Sequence, residues 1–309
     1  MHIEHHDIQY RYYEMPHGSP MLALLGSGWY RTYGLESDPL HFHNYMEIGF
    51  CYDGMGNMLL DEVAKPYAND FFTIIPANFL HNTIAKGQEK NRWEYLFIDV
   101  ETFLNSVYTA EPQKAKRLIR MVNSKAHLLS KGENKEMAAA ILQIMELYRD
   151  KKEMYIECAK GLLFSLLIRI AGLEKAGDNS GETASSSRVI AHALDYIWNH
   201  YNEEIQICDI AESCHMSETH FRRQFSESMH MAPLTYLNLV RVEAACKLLR
   251  GTEDSIQTIA AKSGFFTAQS FNRNFKDLMG VTPFKWRKDT ASLERQLERQ
   301  NIMIFNGWQ

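Results

Sequence analysis

The sequence predicts an α+β chain of two parts, a β-rich front and an all-helical back. Three observations carry this reading. Residues 40–100 hold short aromatic and β-branched runs broken by the turn signals "YDGMGN", "KPYAND" and "AKGQEKN", the pattern of an all-β barrel or sandwich. From Pro112 onward apolar residues recur at helical spacing, with almost no Gly or Pro inside the runs. Finally, "FRRQFSESMHMAPLTY" at 221–236 returns fifty positions later as "FNRNFKDLMGVTPFKW" at 271–286.

The 309 residues leave room for two domains. Apolar content of 45% and charged content of 23% are those of a globular protein. No apolar stretch follows a basic start, so no signal peptide is expected. The most apolar run, Leu162 to Ile170, is too short for a bilayer span, and no membrane partner is expected. Five cysteines form no C-x-x-C pair and read as reduced, mostly buried thiols of a cytoplasmic protein.

After the β-rich stretch, three helices are expected at roughly 112–130, 134–150 and 153–173. Their stripes include Leu118, Met121 and Val122; Ile141, Ile144, Met145 and Tyr148; and Leu163, Leu166, Leu167 and Ile170. The small and polar "EKAGDNSGETASSSR", 174–188, reads as a flexible connection. The chain is then helical to about 288. The tail 289–309 starts with a charged helical pattern to which the sequence assigns no role.

The repeat has a mechanical reading. Extended backward, Ile210 and Ala211 match Ile259 and Ala260 at an offset of 49, which becomes 50 after the turn because the second copy has one extra residue there. Each copy reads as a short helix, a tight turn and a second helix. Ala211 and Ala260 let the two helices cross closely. Gly264 suits a helix end with positive φ, and Ser217 and Thr267 suit N-caps. Phe221 with Phe225, and Phe271 with Phe275, stand four apart and can bury into each copy's core. Thr219, His220, Arg222 and Arg223 face the other way in one copy; Ala268, Gln269, Asn272, Arg273 and Lys276 do so in the other. Between the copies, "PLTYLNLVRVEAACKLLRG" predicts a helix of about 27 Å, near the ~34 Å repeat of successive major grooves. His230 and Met231 stand where the second copy has Gly280 and Val281, so a less regular turn is expected in the first.

The region 188–288 resembles the DNA-binding domain of AraC/XylS-type transcriptional regulators. The residues that carry the resemblance are I-x-x-I-A from Ile256, Gly264-Phe265, F-x-R-x-F-K from Phe271, G-x-T-P from Gly280, and an aromatic followed by Arg at 286–287. The resemblance implies major-groove contacts from Thr219, His220, Arg222, Arg223, Gln269, Asn272 and Arg273. Arg can bond guanine, and Gln or Asn adenine, in bidentate fashion. Lys276, Lys285, Arg287 and Lys288 are placed for phosphates. Twelve Lys/Arg against eleven Asp/Glu in this region leave total charge uninformative; local distribution sets the field.

In the front half, His41, His43, Glu47 and Gly54 precede Pro76, Asn78 and His81. The stretch resembles the two cupin motifs, H-x-H-x3-E-x6-G and P-x-G-x2-H, with Asn78 at the second motif's internal glycine and Asp70 at its leading glycine. His41 and His43 point to one face of a strand, and Glu47 keeps their parity. Such a set suits a divalent transition metal or, with no cofactor required, a polar ligand bonded by the same side chains. Phe42, Tyr45, Phe50, Trp93 and Tyr95 would stack on a sugar ring or fill a barrel core.

These readings divide the chain into a cupin-like effector-binding and dimerisation domain, 1–173, a linker, 174–187, an AraC-type tandem helix-turn-helix domain, 188–288, and a tail, 289–309. The expected function is sequence-specific regulation of transcription, not catalysis. The resemblance implies an activator and a homodimer working with double-stranded DNA, RNA polymerase and a small effector such as a carbohydrate. The alternative is a metal-dependent cupin oxygenase or isomerase built on His41, His43, Glu47 and His81.

Overall fold

A computed structural model describes residues 9–35, 38–60, 63–87, 89–175, 183–229, 231–288 and 304–307. The chain divides into two compact units, Met1–Asp178 and Asn179–Gln309.

In the first unit, β1 (Gln9–Tyr13), β4 (His41–His43), β9 (His81–Ala85), β6 (Gly56–Leu60) and β7 (Val63–Tyr67) lie in that order in one sheet. The other sheet runs β11 (His127–Ser130), β8 (Phe71–Ile74), β5 (Met46–Asp53), β10 (Asn91–Ile98) and β2 (Met21–Leu24), with β3 (Tyr30–Arg31) paired to β10. Of the expected barrel or sandwich, the described residues form the sandwich: their ladders make two sheets and do not close. The chain changes sheet at Asn44-Tyr45 and at 76–80. Asn44 turns its amide to the backbone of Tyr13 at 2.9 Å in both directions, and Pro76 has no N–H to offer a ladder.

Alternation along β5 and β10 builds two cores. Met46, Ile48, Phe50, Leu96 and Ile98 pack with the helices. Cys51, Trp93, Tyr95 and Phe97 face the space between the sheets. The helices are α1 (Val100–Val107), α2 (Pro112–Val122), α3 (Lys135–Asp150) and α4 (Tyr155–Lys175). Asp99 caps α1 by accepting from the Thr102 N–H at 3.0 Å. The stripes of α3 (Met137, Ile141, Ile144, Met145, Tyr148) and α4 (Leu163, Leu166, Leu167, Ile170) share the first core. Burial of such side chains contributes about 1.5–3 kcal/mol each. Across this interface Arg149 of α3 meets Glu94 of β10 at 2.6 Å, with Glu94 fully buried.

The expected first helix is shorter than its sequence pattern. It ends at Val122, and 127–130 is the strand β11, paired with β8 from His127↔Ile74 to Ser130↔Phe71. Most of the expected linker, 176–182, lies outside the described residues; α4 runs to Lys175 and α5 (Thr183–His200) begins inside it.

The second unit continues with α6 (Ile207–Ser213), α7 (Glu218–Met229), α8 (Pro233–Gly251), α9 (Ile256–Lys262), α10 (Ala268–Met279) and a helical stretch at 283–288. Residue 230, where an irregular turn was expected, and the tail apart from β12 (Ile304–Gly307) lie outside the described residues. None of the five cysteines forms a disulfide; Cys51, Cys214 and Cys246 are buried and Cys158 is exposed. Among the described residues, no helix is long and apolar enough to cross a membrane.

Candidate nucleic-acid interface and a buried histidine site

The two copies end their first helices in the same way. After α9, Gly264 takes φ +86°, its N–H reaches the carbonyl of Ala261 at 3.1 Å, and the Phe265 N–H reaches that of Ala260 at 2.9 Å. After α6, His215 takes φ +56°, its N–H reaches the carbonyl of Glu212 at 2.9 Å, and the Met216 N–H reaches that of Ala211 at 2.9 Å. Both are Schellman turns, one on Gly and one on His. In the second copy Thr267 caps α10 by accepting from the Ser270 N–H at 3.1 Å.

Each second helix then buries its phenylalanines. Phe221, Phe225, Phe271 and Phe275 are fully buried. Phe225 meets Tyr236 edge-on at 5.7 Å, and Phe275 meets Trp286 edge-on at 6.2 Å. The opposite faces hold Thr219, His220, Arg222 and Arg223 on α7, and Gln269, Asn272, Arg273 and Lys276 on α10, all eight exposed. The faces differ in their own pairing. Arg222 meets Glu218 at 2.6 Å and Arg223 approaches Glu227 at 3.9 Å. Arg273 has no ion pair among the described residues. Arg287, expected at phosphate, instead donates to the carbonyls of Leu249 and Asp254, the latter at 2.7 Å.

Between the copies α8 is rooted by Arg241. Its guanidinium donates to the carbonyls of Tyr201 at 2.7 Å and Glu203 at 3.0 Å. Ala211 and Ala260 are buried where the short helices pack.

Residues 210–289 match the family model described as "Helix-turn-helix domain". These residues are thus a helix-turn-helix domain. The chain is similar to part of an HTH-type transcriptional regulator of Mycobacterium tuberculosis, Rv1931c, at 39% identity over 86 residues, 28% of this chain and 33% of that one. An uncharacterized HTH-type transcriptional regulator of Staphylococcus aureus is 29% identical over 155 residues, 48% of this chain. The match spans only about a fifth (21%) of that relative's length. Among solved structures, the DNA-binding domain of AdpA in complex with a target DNA is similar at 25% identity and TM-score 0.34, over 35% of this chain and 96% of that one. ToxT from Vibrio cholerae is similar at 15% identity and TM-score 0.44, over 89% of this chain and 96% of that one.

The first unit holds the other candidate site. His41 and His43 come from β4, Glu47 from β5 and His81 from the start of β9, with His41 paired to His81 across the ladder. Strand parity does not explain Glu47, because β4 and β5 belong to different sheets. Glu47 reaches the site because its face of β5 looks into the space between them. The two positive-φ positions of the second motif are kept without glycine. Asp70 and Asn78 take φ +64° and +60°, a conformation these residue types tolerate. The Asn78 N–H donates to the His43 carbonyl at 2.7 Å and ties this turn to β4.

Every imidazole is anchored by a backbone carbonyl. His41 Nδ1 is 3.1 Å from the oxygen of Pro39, His43 Nδ1 is 2.7 Å from that of Tyr45, and His81 Nδ1 is 2.9 Å from that of Phe79. A carbonyl only accepts, so each Nδ1 carries the proton and a neutral ring presents its bare Nε2. Glu47 Oε2 lies 3.2 Å from His43 Nε2 and 3.7 Å from His81 Nε2. Burial alone would raise the Glu47 carboxyl; the hydrogen bonds and charge that His43 and His81 supply in their protonated form outweigh it and hold the group below the usual carboxylate range. Burial pushes His41 well below the ordinary imidazole value, helped by His81 and Arg11, and lowers His43 as well.

A donor atom each from His41, Glu47 and His81 lies within 4.8 Å of the others, and all three residues are buried. The small cavity beside them has a volume of about 30 Å³. Arg11 and Arg31 share Asp38 at its edge, at 2.8 and 3.4 Å. Of the aromatics weighed for sugar stacking, only Tyr95 lines this cavity. Phe50 faces the helical core, and Phe42 packs on Tyr10 at 5.2 Å between ring centres. Sequence reasoning missed Asp38 and its two arginines, seven and 27 residues before it, which carry no recognisable spacing signal.

Proposed function

We propose that the chain is a DNA-binding transcription regulator that inserts α7 and α10 into successive major grooves. The observation that carries this is the duplicated face: four phenylalanines buried and eight polar side chains exposed, on two helices that follow matching turns. The roles follow from side-chain chemistry. Arg222, Arg223 and Arg273 suit guanine, Gln269 and Asn272 suit adenine, Thr219 and His220 stand at the groove-entering end of α7, and Lys276 suits phosphate. By resemblance, the protein is a cytoplasmic activator that dimerises, contacts RNA polymerase and responds to a small effector at the first unit.

The test is a binding-site selection with the full chain. Two recognised clusters about 10 base pairs apart, one helical turn, are expected. Enrichment of no sequence, or of a single cluster unaffected by changes on either α7 or α10, would refute the reading.

A second proposal concerns the effector site. The residues fit a divalent transition metal: His41, His81 and Glu47 would hold it, with His43 supporting Glu47. Bare Nε2 atoms around an ionised buried carboxylate suit a cation, and the carbonyl-anchored Nδ1 protons are the usual outer support of metal-bound imidazole. The cavity has room for one or two waters, so a carbohydrate would need the lining to open. A bound metal would supply a Lewis-acid anchor for an oxygen-bearing effector. Cobalt(II) titration of chelator-treated protein should give a stoichiometric visible absorption band that His81→Ala removes. No band, or one unchanged in His81→Ala, rejects the metal.

A further inference from the structure

The extra residue of the second copy is Phe266. Counting from the Schellman turns, Met216 matches Phe265, and Ser217 follows at once as the residue before α7. In the second copy Phe266 intervenes between Phe265 and the cap Thr267. An apolar residue just before an N-cap ordinarily packs on the fourth helical residue, which here is Phe271. That place is taken: Phe265 is buried and lies 5.3 Å from the Phe271 ring. Phe266 is left 63% exposed, beside the exposed Ala268 and Gln269 at the start of α10.

A phenyl ring left this exposed at the start of α10 is available to a partner. In helix-turn-helix docking the N-terminal residues of the second helix approach the base edges. Phenylalanine and alanine have one characteristic partner there, the C5-methyl of thymine. We infer that Phe266, with Ala268 beside it, reads a thymine methyl group in the major groove entered by α10. This rests on the DNA-binding reading above and adds an apolar contact to the polar ones. It also gives the inserted residue a purpose: the first copy, without the insertion, presents no such side chain.

The experiment uses the full chain and a duplex obtained by binding-site selection. Each thymine in the cluster assigned to α10 is replaced in turn by deoxyuridine, which removes the methyl group and leaves pairing intact. At one position the unaltered protein should lose about fourfold in affinity, the worth of one buried methyl. Phe266→Ala should bind the thymine duplex correspondingly more weakly and be indifferent to the uracil exchange. Phe266→Leu should keep part of the discrimination. Because the side chain is exposed, an unchanged unfolding midpoint is expected for both variants. If every uracil duplex binds the unaltered protein like the parent, or if Phe266→Ala senses uracil as the parent does, the inference is overturned. Failure to select any duplex overturns the DNA-binding reading itself, and this inference with it.

Discussion

Arg241 and Gly264 converge on one oxygen. The Arg241 Nε donates to the Tyr201 carbonyl at 2.7 Å, and a Cβ built on Gly264 would lie 2.1 Å from that same atom. The second turn is thus packed against the end of α5 through the one residue type that fits.

Gly264→Ala would meet both that backbone oxygen and a positive φ. A loss of at least about 2 kcal/mol in the stability of the second unit is expected. It would be read as faster hydrogen exchange in α9 and α10. His215, in the matching position, shows the opposite sign. His215→Gly relieves a left-handed side-chain residue and should be neutral or stabilising by under about 1 kcal/mol. A mild Gly264→Ala would mean the turn can rearrange away from Tyr201.

Glu94 is buried beside Arg149 and Arg92. Removing Arg149 leaves a buried carboxylate with a weaker partner. Arg149→Ala should cost about 2–3 kcal/mol, below the range for a fully buried pair because Arg149 is partly exposed. Adding Glu94→Gln should restore part of it. Urea unfolding of the single and double variants checks both statements; strict additivity would show the two groups do not act together.

On a selected duplex, Arg273→Ala should cost about 1–3 kcal/mol and relax preference at one base pair. Lys276→Ala should weaken all sequences similarly and lower the salt dependence by about one ion. Competition titrations at two salt concentrations separate them. The same uniform loss for both would reassign Arg273 to phosphate.

Acid should weaken the first unit through His127. Burial, with Lys125 and Lys65 nearby, holds this imidazole down at about 4 against an ordinary 6.5. Between those values the unfolded chain takes up a proton that the native one refuses. Stability therefore falls as pH drops below 6.5 and this contribution levels off below 4. His127→Gln should flatten the slope in part, since His41 and His43 act in the same direction. Unfolding midpoints across this range, in chelator, give the measurement.

The sequence announced whatever was periodic or duplicated. The phenylalanine pairs, the stripes of α3 and α4, and Gly264 each have a local rule behind them. His215 was not legible, because nothing in a histidine marks it for positive φ. The strand at 127–130 is only "HLLS" between helices, and its identity comes from pairing with β8. The cupin resemblance put Glu47 with the histidines, but the parity argument added to it fails at Asn44-Tyr45; the packing of two sheets brings Glu47 there. The choice between barrel and sandwich was not legible, because ladder bonding decides closure and is not written in the hydrophobic pattern.

The ion pairs on α7 set the two exposed faces apart. A duplex arriving at this domain finds the cations of one helix already engaged by Glu218 and Glu227, and Arg273 of the other helix unclaimed. Such surface pairs hold by only about 0–1 kcal/mol, so they delay a contact without forbidding it. On the proposed DNA-binding reading, a base contact from Arg222 or Arg223 must displace a carboxylate, whereas one from Arg273 displaces none.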